Sequence, residues 1–381
     1  MIRISFVSTY PPTHCGVAEY TRMLAMSLKS IAPDSIIHVF GDVNCGEERF
    51  DEEARVCVYP VFEKQSKNYS VVLDYLSRIN GVDVLHIQHE YGIYGDYNGI
   101  LEAAIEARRE GLAKKIVFTM HTVYHPLSRR QGALVFQKNL NNVDAVIVHS
   151  FVQEFELQYQ GVDPIIIHRI PHGTLLNPYL GMPRHRLMSD LGIREDNIKG
   201  LIIVLPGFLR KDKGLDILLE SLSHGDWPSK TTFIVAGEVR DPEVKDLVGK
   251  ISSRINTVFL EKYLTKNEIL KLIALADTVI LPYRDKPGAY SVSGILHLSM
   301  GSLKPIIGTR VPRLLELYQF VPRLTVSTRN PLGLAKKIKW LYENYDYAVA
   351  YMTNLYGYAI RTHWLRMARR HLSLYYNILA S

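Results

Sequence analysis

"DTVILPYRDKPGAYSVSGILHLSMGSLKPIIGT", residues 277–309, holds the folding pattern of the whole chain in miniature. It opens on an apolar, β-branched run, DTVILPY (277–283), and closes on a second, PIIGT (305–309). A loop of Pro, Gly, Ala, Tyr and Ser joins the first run to a short apolar helix. Two strands linked through a helix read as neighbours in a parallel sheet. Ser291 or Ser293 stands where an N-cap belongs. The first amides of such a helix have no partner within it and face outward, and the helix dipole favours negative charge there. The stretch therefore raises two readings at once, an ordinary cap and a bed for an anion.

The same rhythm runs outward in both directions. In the first half IRISFVS (2–8), SIIHVFG (35–41), DVLHIQH (83–89), KIVFTMH (115–121), DAVIVHS (144–150) and PIIIHRIPHG (164–173) read as strands. Helices are expected at 16–32, with an apolar stripe through Val17, Tyr20, Leu24 and Leu28, and at about 69–79, 98–111 and 129–141. After a Pro-, Gly- and Leu-rich connection at 175–193, GLIIVLPGF (200–208), TTFIVAGE (231–238) and INTVFLEKY (255–263) restart the pattern. Continuous apolar strands alternating with helices imply parallel sheets covered on both faces. The expected fold is α/β, with two Rossmann-like doubly wound domains facing each other across a cleft. Residues 1–176 make the first domain and 177–360 the second, and 361–381 form a closing helix. Ligands of such sheets bind at the carboxyl ends of strands.

The totals exclude several classes. The chain has 381 residues, too many for one ordinary core, and its 47% hydrophobic and 22% charged residues suit a globular protein. MIRISFVSTYPP reads as a strand and a turn, not a signal peptide. Three scattered cysteines, Cys15, Cys45 and Cys57, form neither a disulfide framework nor a metal-spaced set, so a cytoplasmic location is expected. The formal charge of +7 suits an anionic partner. The cations are dispersed and no RNA or DNA module is present, so no nucleic acid is expected.

The chemistry-bearing residues cluster at strand ends. Gly16, flanked by His14 and Cys15, enters the first helix and lets backbone approach a ligand. The loop lacks the three-glycine dinucleotide fingerprint. Gly207 ends a strand, and Arg210, Lys211 and Lys213 follow before Gly214 opens a helix. Three cations at one strand end suit a diphosphate. His86, His89, His121 and His125 invite a zinc reading, but no pair has ligand spacing. His121 ends a buried strand and is the best candidate among them. Glu90 is the carboxylate of these motifs and the natural proton acceptor. No Asp-x-Asp occurs, so no metal is expected, and a leaving diphosphate would rely on cations and helix amides.

With these residues placed, the chain resembles the GT-B glycosyltransferases, especially the retaining group called glycosyltransferase family 4. PPTHCGVAEYT resembles that family's first loop, VLHIQHE and FTMHT its His-bearing strands, and RIPHGT its Ile-Pro-Asn/His-Gly element. GFLRKDKG resembles its Gly-Arg-Leu…Glu-Lys-Gly phosphate motif, and LHLSMGSLKPIIGT its Leu-Glu-Ala-Met-Ala…Pro-Val-Val-Ala-Thr stretch. HWLRMARRHLSLYYNIL (363–379) resembles its closing helix, which crosses back to the first domain. The resemblance implies that Arg210, Lys213 and the amides near Ser293 and Gly294 hold the donor diphosphate. It places Gly16 behind the phosphate, His121 at the donor sugar, and the base against residues 261–266, including Tyr263. Gly207 and Ser291 complete the expected donor side, and His14, His89 and Tyr91 the acceptor side. Two departures stand out. The family's paired glutamates align with Tyr290 and Leu298, and Phe208 replaces the Arg of Gly-Arg-Leu.

The expected activity is transfer of a hexosyl group from a nucleoside-diphosphate sugar, without cofactor or metal, to a sugar, lipid-linked or phosphorylated acceptor. Retention and GDP-mannose are what the resemblance favours. The alternatives are an inverting enzyme with Glu90 or His14 as base, and a GT-B binding protein without catalysis. Arg108, Arg109, Lys114, Lys115, Arg129, Arg130 and the basic C-terminal helix are compatible with peripheral contact at the inner face of a membrane.

Overall fold

The computed structural model describes residues 1–225 and 227–381. The chain divides into two compact units. Unit 1 comprises Met1–Gly173, Pro287–Val292 and Thr362–Ser381, and unit 2 comprises Thr174–Lys286 and Ser293–Arg361.

The strands of unit 1 begin with β1 (Arg3–Val7), β2 (Ile36–Asp42), β3 (Arg49–Asp51), β4 (Val56–Phe62) and β5 (Val82–His89). They continue with β6 (Ala113–Met120), β7 (Thr122–Tyr124), β8 (Ala145–Val148) and β9 (Ile167–Arg169). Eight of them form one sheet in the order β3-β4-β2-β1-β5-β6-β8-β9. All its pairings are parallel except β3 with β4. β3 and β4 are absent from the strands expected above, and Pro60 explains the second omission. A proline inside a strand pattern normally argues against an interior strand. Here the register with β2 slips beside it, from Gly41↔Pro60 to Asp42↔Phe62. A slip of this kind accommodates the missing amide. The helix Gly16–Ile31 buries Val17, Tyr20, Leu24 and Leu28, the stripe read from the sequence. The C-terminal helix Trp364–Ala380 packs against it and buries Trp364, Met367, Leu374 and Tyr375.

Unit 2 supplies β10 (Leu201–Pro206), β11 (Thr231–Ala236), β12 (Asn256–Leu260) and β13 (Thr278–Leu281). After the short β14 (Ala289–Ser291), which unit 1 claims, come β15 (Ile306–Thr309) and β16 (Thr325–Val326). The unit 2 sheet is parallel, in the order β12-β11-β10-β13-β15-β16. Counted within the unit, that order is 3-2-1-4-5-6, the doubly wound arrangement whose ligand crevice lies where the order reverses. The reversal falls between β10 and β13. Ile202, Ile203, Val204 and Leu205 of β10 are fully buried. Each such side chain contributes roughly 1.5–3 kcal/mol by leaving water.

β14 pairs antiparallel with β7, Ala289 with Tyr124, Tyr290 with Val123 and Ser291 with Thr122. Gln153 Nε2 lies 3.2 Å from the carbonyl oxygens of Met120, His121 and Tyr290 and ties this ribbon to the sheet of unit 1.

Candidate active site

The carboxyl ends of β10 and β13 frame the site in unit 2. β10 runs out at Gly207, whose φ of +104° is left-handed and whose added Cβ would approach the Ile295 side chain to 2.9 Å. Glycine here lets the strand end lie against the first turn of the helix Gly294–Ser299. At the end of β11, a Cβ on Gly237 would meet the Gly207 carbonyl oxygen at 1.8 Å. The two strand ends therefore touch backbone to backbone.

Beyond Gly207 comes the single turn Lys211–Lys213, closed by Gly214 at φ +75°. Lys213 is buried, donates from Nζ to the Tyr283 hydroxyl at 2.8 Å, and stands 4.1 Å from that ring's centre. Burial lowers its pKa, and Tyr283 opposes the shift. The Tyr283 hydroxyl also lies 3.4 Å from Ser293 Oγ. Ser293 is the N-cap, its Oγ accepting from the Leu296 amide at 3.2 Å. The Gly294 and Ile295 amides have no partner within their helix. One phenol thus joins the lysine of the 207–214 loop to the start of the 294–299 helix, some 80 residues apart in the chain.

Asp212, invisible as a functional residue in the sequence, organises the cations. Its carboxylate receives Arg313 Nη1 at 2.8 Å and Lys286 Nζ at 3.0 Å, with Arg210 Nε at 3.3 Å. Burial pushes its pKa up, but Arg313, Arg210 and Lys286 outweigh that and hold the carboxyl well below the usual range. Three cations, Arg210, Lys286 and Arg313, surround this one carboxylate. Lys211 is not among them: it is exposed and pairs with Glu243 at 2.7 Å. Tyr283, Lys286 and Arg313 were missed by the sequence reading. Tyr283 alone carried a signal, as the last residue of the strand-like run DTVILPY.

Half-buried Phe208 and Tyr263 come together at 5.9 Å between ring centres, and the Arg240 guanidinium stands 4.7 Å over Phe208. Phe208, where the family has Arg, therefore begins an aromatic wall beside Gly207. Leu298 packs as an apolar side chain against the core of unit 2. Ser291 is displaced from its expected place. It lies in β14, paired with Thr122, so only Ser293 caps the helix. Beneath the cap, His297 Nε2 lies 3.6 Å from Glu316 Oε1, and burial raises the Glu316 pKa to about 7.

In unit 1 the sheet order reverses between β1 and β5, and Gly16 and Glu90 follow these two strands. Gly16 and His14 are exposed. Nothing lies within 4 Å of a Cβ built on Gly16, so the protein itself makes no steric demand for glycine there. Glu90 Oε2 accepts from Thr122 Oγ1 at 2.7 Å. His121 Nε2 meets Gln88 Oε1 at 2.9 Å. With Gln88 offering its carbonyl oxygen, Nε2 carries the proton and Nδ1 is left as an acceptor. Burial, then the neighbouring His149, His86 and His89, push the His121 pKa well down, so the ring is neutral. Tyr20 packs edge-on to His121 at 4.7 Å and also contacts His149, His172 and Trp364, a ring cluster the sequence reading did not assemble.

His89 and Tyr91 require correction as acceptor-side residues. His89 is fully buried, stacked on Phe136 at 4.2 Å, with its pKa lowered by burial to about 3. Tyr91 is buried and donates to Gln137 Oε1 at 2.9 Å. Their rings are packing groups, because β5 sends its last side chain into the helical layer rather than outward. Among the described residues, no three His, Cys, Asp or Glu side chains gather as a metal site would require.

Residues 200–344 match the family described as glycosyl transferases group 1. Unit 2 carries a group 1 glycosyltransferase domain. The chain is a glycosyltransferase of the GT-B fold, and solved structures of that fold align with it over nearly their full length. HepE of Anabaena, in complex with UDP-glucose, is 17% identical with a TM-score of 0.74, covering 98% of this chain and 99% of its own. Sucrose-phosphate synthase of Thermosynechococcus elongatus is 17% identical with a TM-score of 0.75, covering 100% of both chains. A glycosyltransferase of Rickettsia africae is 19% identical with a TM-score of 0.73, covering 99% of both. No curated protein matches the glycosyltransferase by sequence.

Proposed function

We propose that the protein transfers a hexosyl group from a nucleoside-diphosphate sugar, with the donor diphosphate bound in unit 2 at the carboxyl ends of β10 and β13. The observation that carries this reading is the meeting of Lys213 and Ser293 at the Tyr283 hydroxyl. Buried Lys213, Arg210 and the Gly294 and Ile295 amides would together neutralise charge developing on the departing diphosphate. The aromatic pair Phe208 and Tyr263 is the assigned resting place for the base. For unit 1 the reading keeps His121 as the acceptor of a hydrogen bond from a sugar hydroxyl. It proceeds with retention, the acceptor attacking on the leaving-group side and its proton passing to the departing phosphate. The acceptor is a sugar, lipid-linked or phosphorylated molecule, and a peripheral membrane contact of unit 1 is part of the proposal. Among the described residues, no helix is long and apolar enough to cross a membrane.

The motif resemblance favours GDP-mannose, and the complex of HepE with UDP-glucose brings that donor forward equally. Thermal-shift titration with both sugars is the first test, since a ligand of the folded state raises the melting temperature. The expected result is a shift with one of them that is lost in Arg210→Gln. No shift and no turnover with any nucleoside-diphosphate sugar would overturn the proposal. An inverted anomer in the product would remove the retaining assignment alone.

A further inference from the structure

Unit 2 has a second concentration of cations, on the far edge of its sheet from the site above. An open pocket of about 470 Å³ lies beside β16, lined by Arg310, Ser327, Lys336, Lys337 and Trp340 among others. It sits between the end of β15, the end of β16 and the first turns of the helix Pro331–Glu343. β10, β13, β15 and β16 are successive neighbours, so β16 stands three strand spacings, about 14 Å, from β10.

The cations are held ready without being neutralised. Arg310 Nε donates to Thr325 Oγ1 at 3.0 Å, which fixes the guanidinium plane and leaves its two Nη groups for another partner. Arg323 Nη1 donates to the Tyr351 hydroxyl at 2.6 Å, and Tyr351 stacks on Trp340. Lys337 Nζ stands 5.4 Å over the Trp340 ring. Among the described residues, no carboxylate lies within 4 Å of Arg310, Arg323, Lys336 or Lys337, and none lines the pocket. These charges feel one another: burial, then Arg310 and Arg323, lower the Lys337 pKa. A solvated basic helix face would have its cations spread apart. Here Arg310, Lys336 and Lys337 converge, Arg310 oriented by the neutral Thr325 hydroxyl, on a cavity with an aromatic wall.

We infer that this pocket is a second anion site, taking the phosphate group of a small phosphorylated molecule. Two guanidinium Nη atoms match the oxygens of a phosphate in parallel, and the lysines add point charges. The dianion supplies the negative charge that the surrounding protein withholds.

Isothermal titration with three separate probes, inorganic phosphate, glucose 6-phosphate and ATP, tests the assignment and separates its sources. It is run on the full chain in three forms: wild type, Arg310→Gln/Lys336→Gln and Arg210→Gln. The expected result is that at least one probe binds, weakens by about tenfold or more in the double variant, and keeps its affinity in Arg210→Gln. The Lys336→Arg variant, which keeps the charge and the Arg310 guanidinium, should retain most of the binding, which separates lost charge from lost folding. Probes that all fail to bind at about 10 mM overturn the inference. So does binding that falls with Arg210→Gln but is untouched by the double variant, because it then belongs to the donor site alone. Failure of the donor proposal leaves this outcome unaffected, since no sugar nucleotide is used.

Discussion

A lysine ammonium in a protein interior needs a partner, and Lys213 has a phenol where a carboxylate would be expected. Removing one member of a buried ion pair is costly because it strands the other charge, but the partner here is an uncharged phenol, so an apolar chain of like shape at position 213 strands none. Lys213→Met is therefore expected to fold with an unchanged or higher melting temperature, while kcat/KM for sugar transfer falls by about 10²–10³. Parallel thermal melts and steady-state kinetics check the split. A second prediction concerns Glu316, whose carboxyl is raised to about 7 in the fold against an ordinary value near 4.5. The folded state holds this proton more tightly than the unfolded chain. Its stabilising effect is complete below about pH 4.5 and is lost as pH rises through about 7, on the order of 3 kcal/mol in all. Urea unfolding between pH 5 and 8 should show the stability of wild type relative to Glu316→Gln falling by that amount, since the buried histidines, whose lowered pKa values act in the opposite sense, contribute equally to both. Single residues were legible where one position carries its own chemistry, as Lys213 and His121 do. Asp212, Tyr283 and Arg313 were not, because their meaning comes from contacts between β10, β13 and the end of β15, which no local pattern records.

Two glycines separate the demands of the fold from those of a ligand. Gly214 ends its turn at φ +75°, and a Cβ there would meet the Pro282 carbonyl oxygen at 1.8 Å. Gly214→Ala should cost about 2–4 kcal/mol, read as a lower urea midpoint. Gly16 has neither constraint, so Gly16→Ala should change stability by no more than about 0.5 kcal/mol. A marked loss of activity in that variant would come from a ligand excluded by one methyl group. At this scale the apolar periods made most strands and the 16–32 helix readable. β4 was hidden by Pro60, whose fit depends on a register slip. β14 was hidden because its pairing partner β7 lies far back in the chain, and three residues have no period of their own.

The alternation of strands and helices is a property of the whole chain, and it was enough to give two doubly wound units. The alternation itself does not show how the chain is shared between them; the return of the closing helix to the first domain was expected from the family resemblance, and the sharing of 287–292 was not. The segment Thr362–Ser381 belongs to unit 1, and its helix buries Trp364, Met367, His371, Leu374 and Tyr375. His86 Nδ1 in β5 also pairs with the Tyr375 hydroxyl at 2.6 Å. Deleting 362–381 should therefore strip the Gly16–Ile31 helix of its cover. The expected outcome is dye-accessible hydrophobic surface and loss of cooperative unfolding in unit 1, measured by fluorescence and near-ultraviolet dichroism.

The ribbon of β7 and β14 has a practical corollary for protein engineering. Because β14 is threaded into the middle of unit 2's sequence, neither unit can be excised with a single cut. A graft that takes residues 1–176 as a cassette leaves behind the strand opposite Thr122–Tyr124, and with it the carbonyl of Tyr290 that Gln153 reaches. Chimaeras of this enzyme must transplant three pieces of gene together, 1–173, 287–292 and 362–381, or accept a recipient with an unzipped edge.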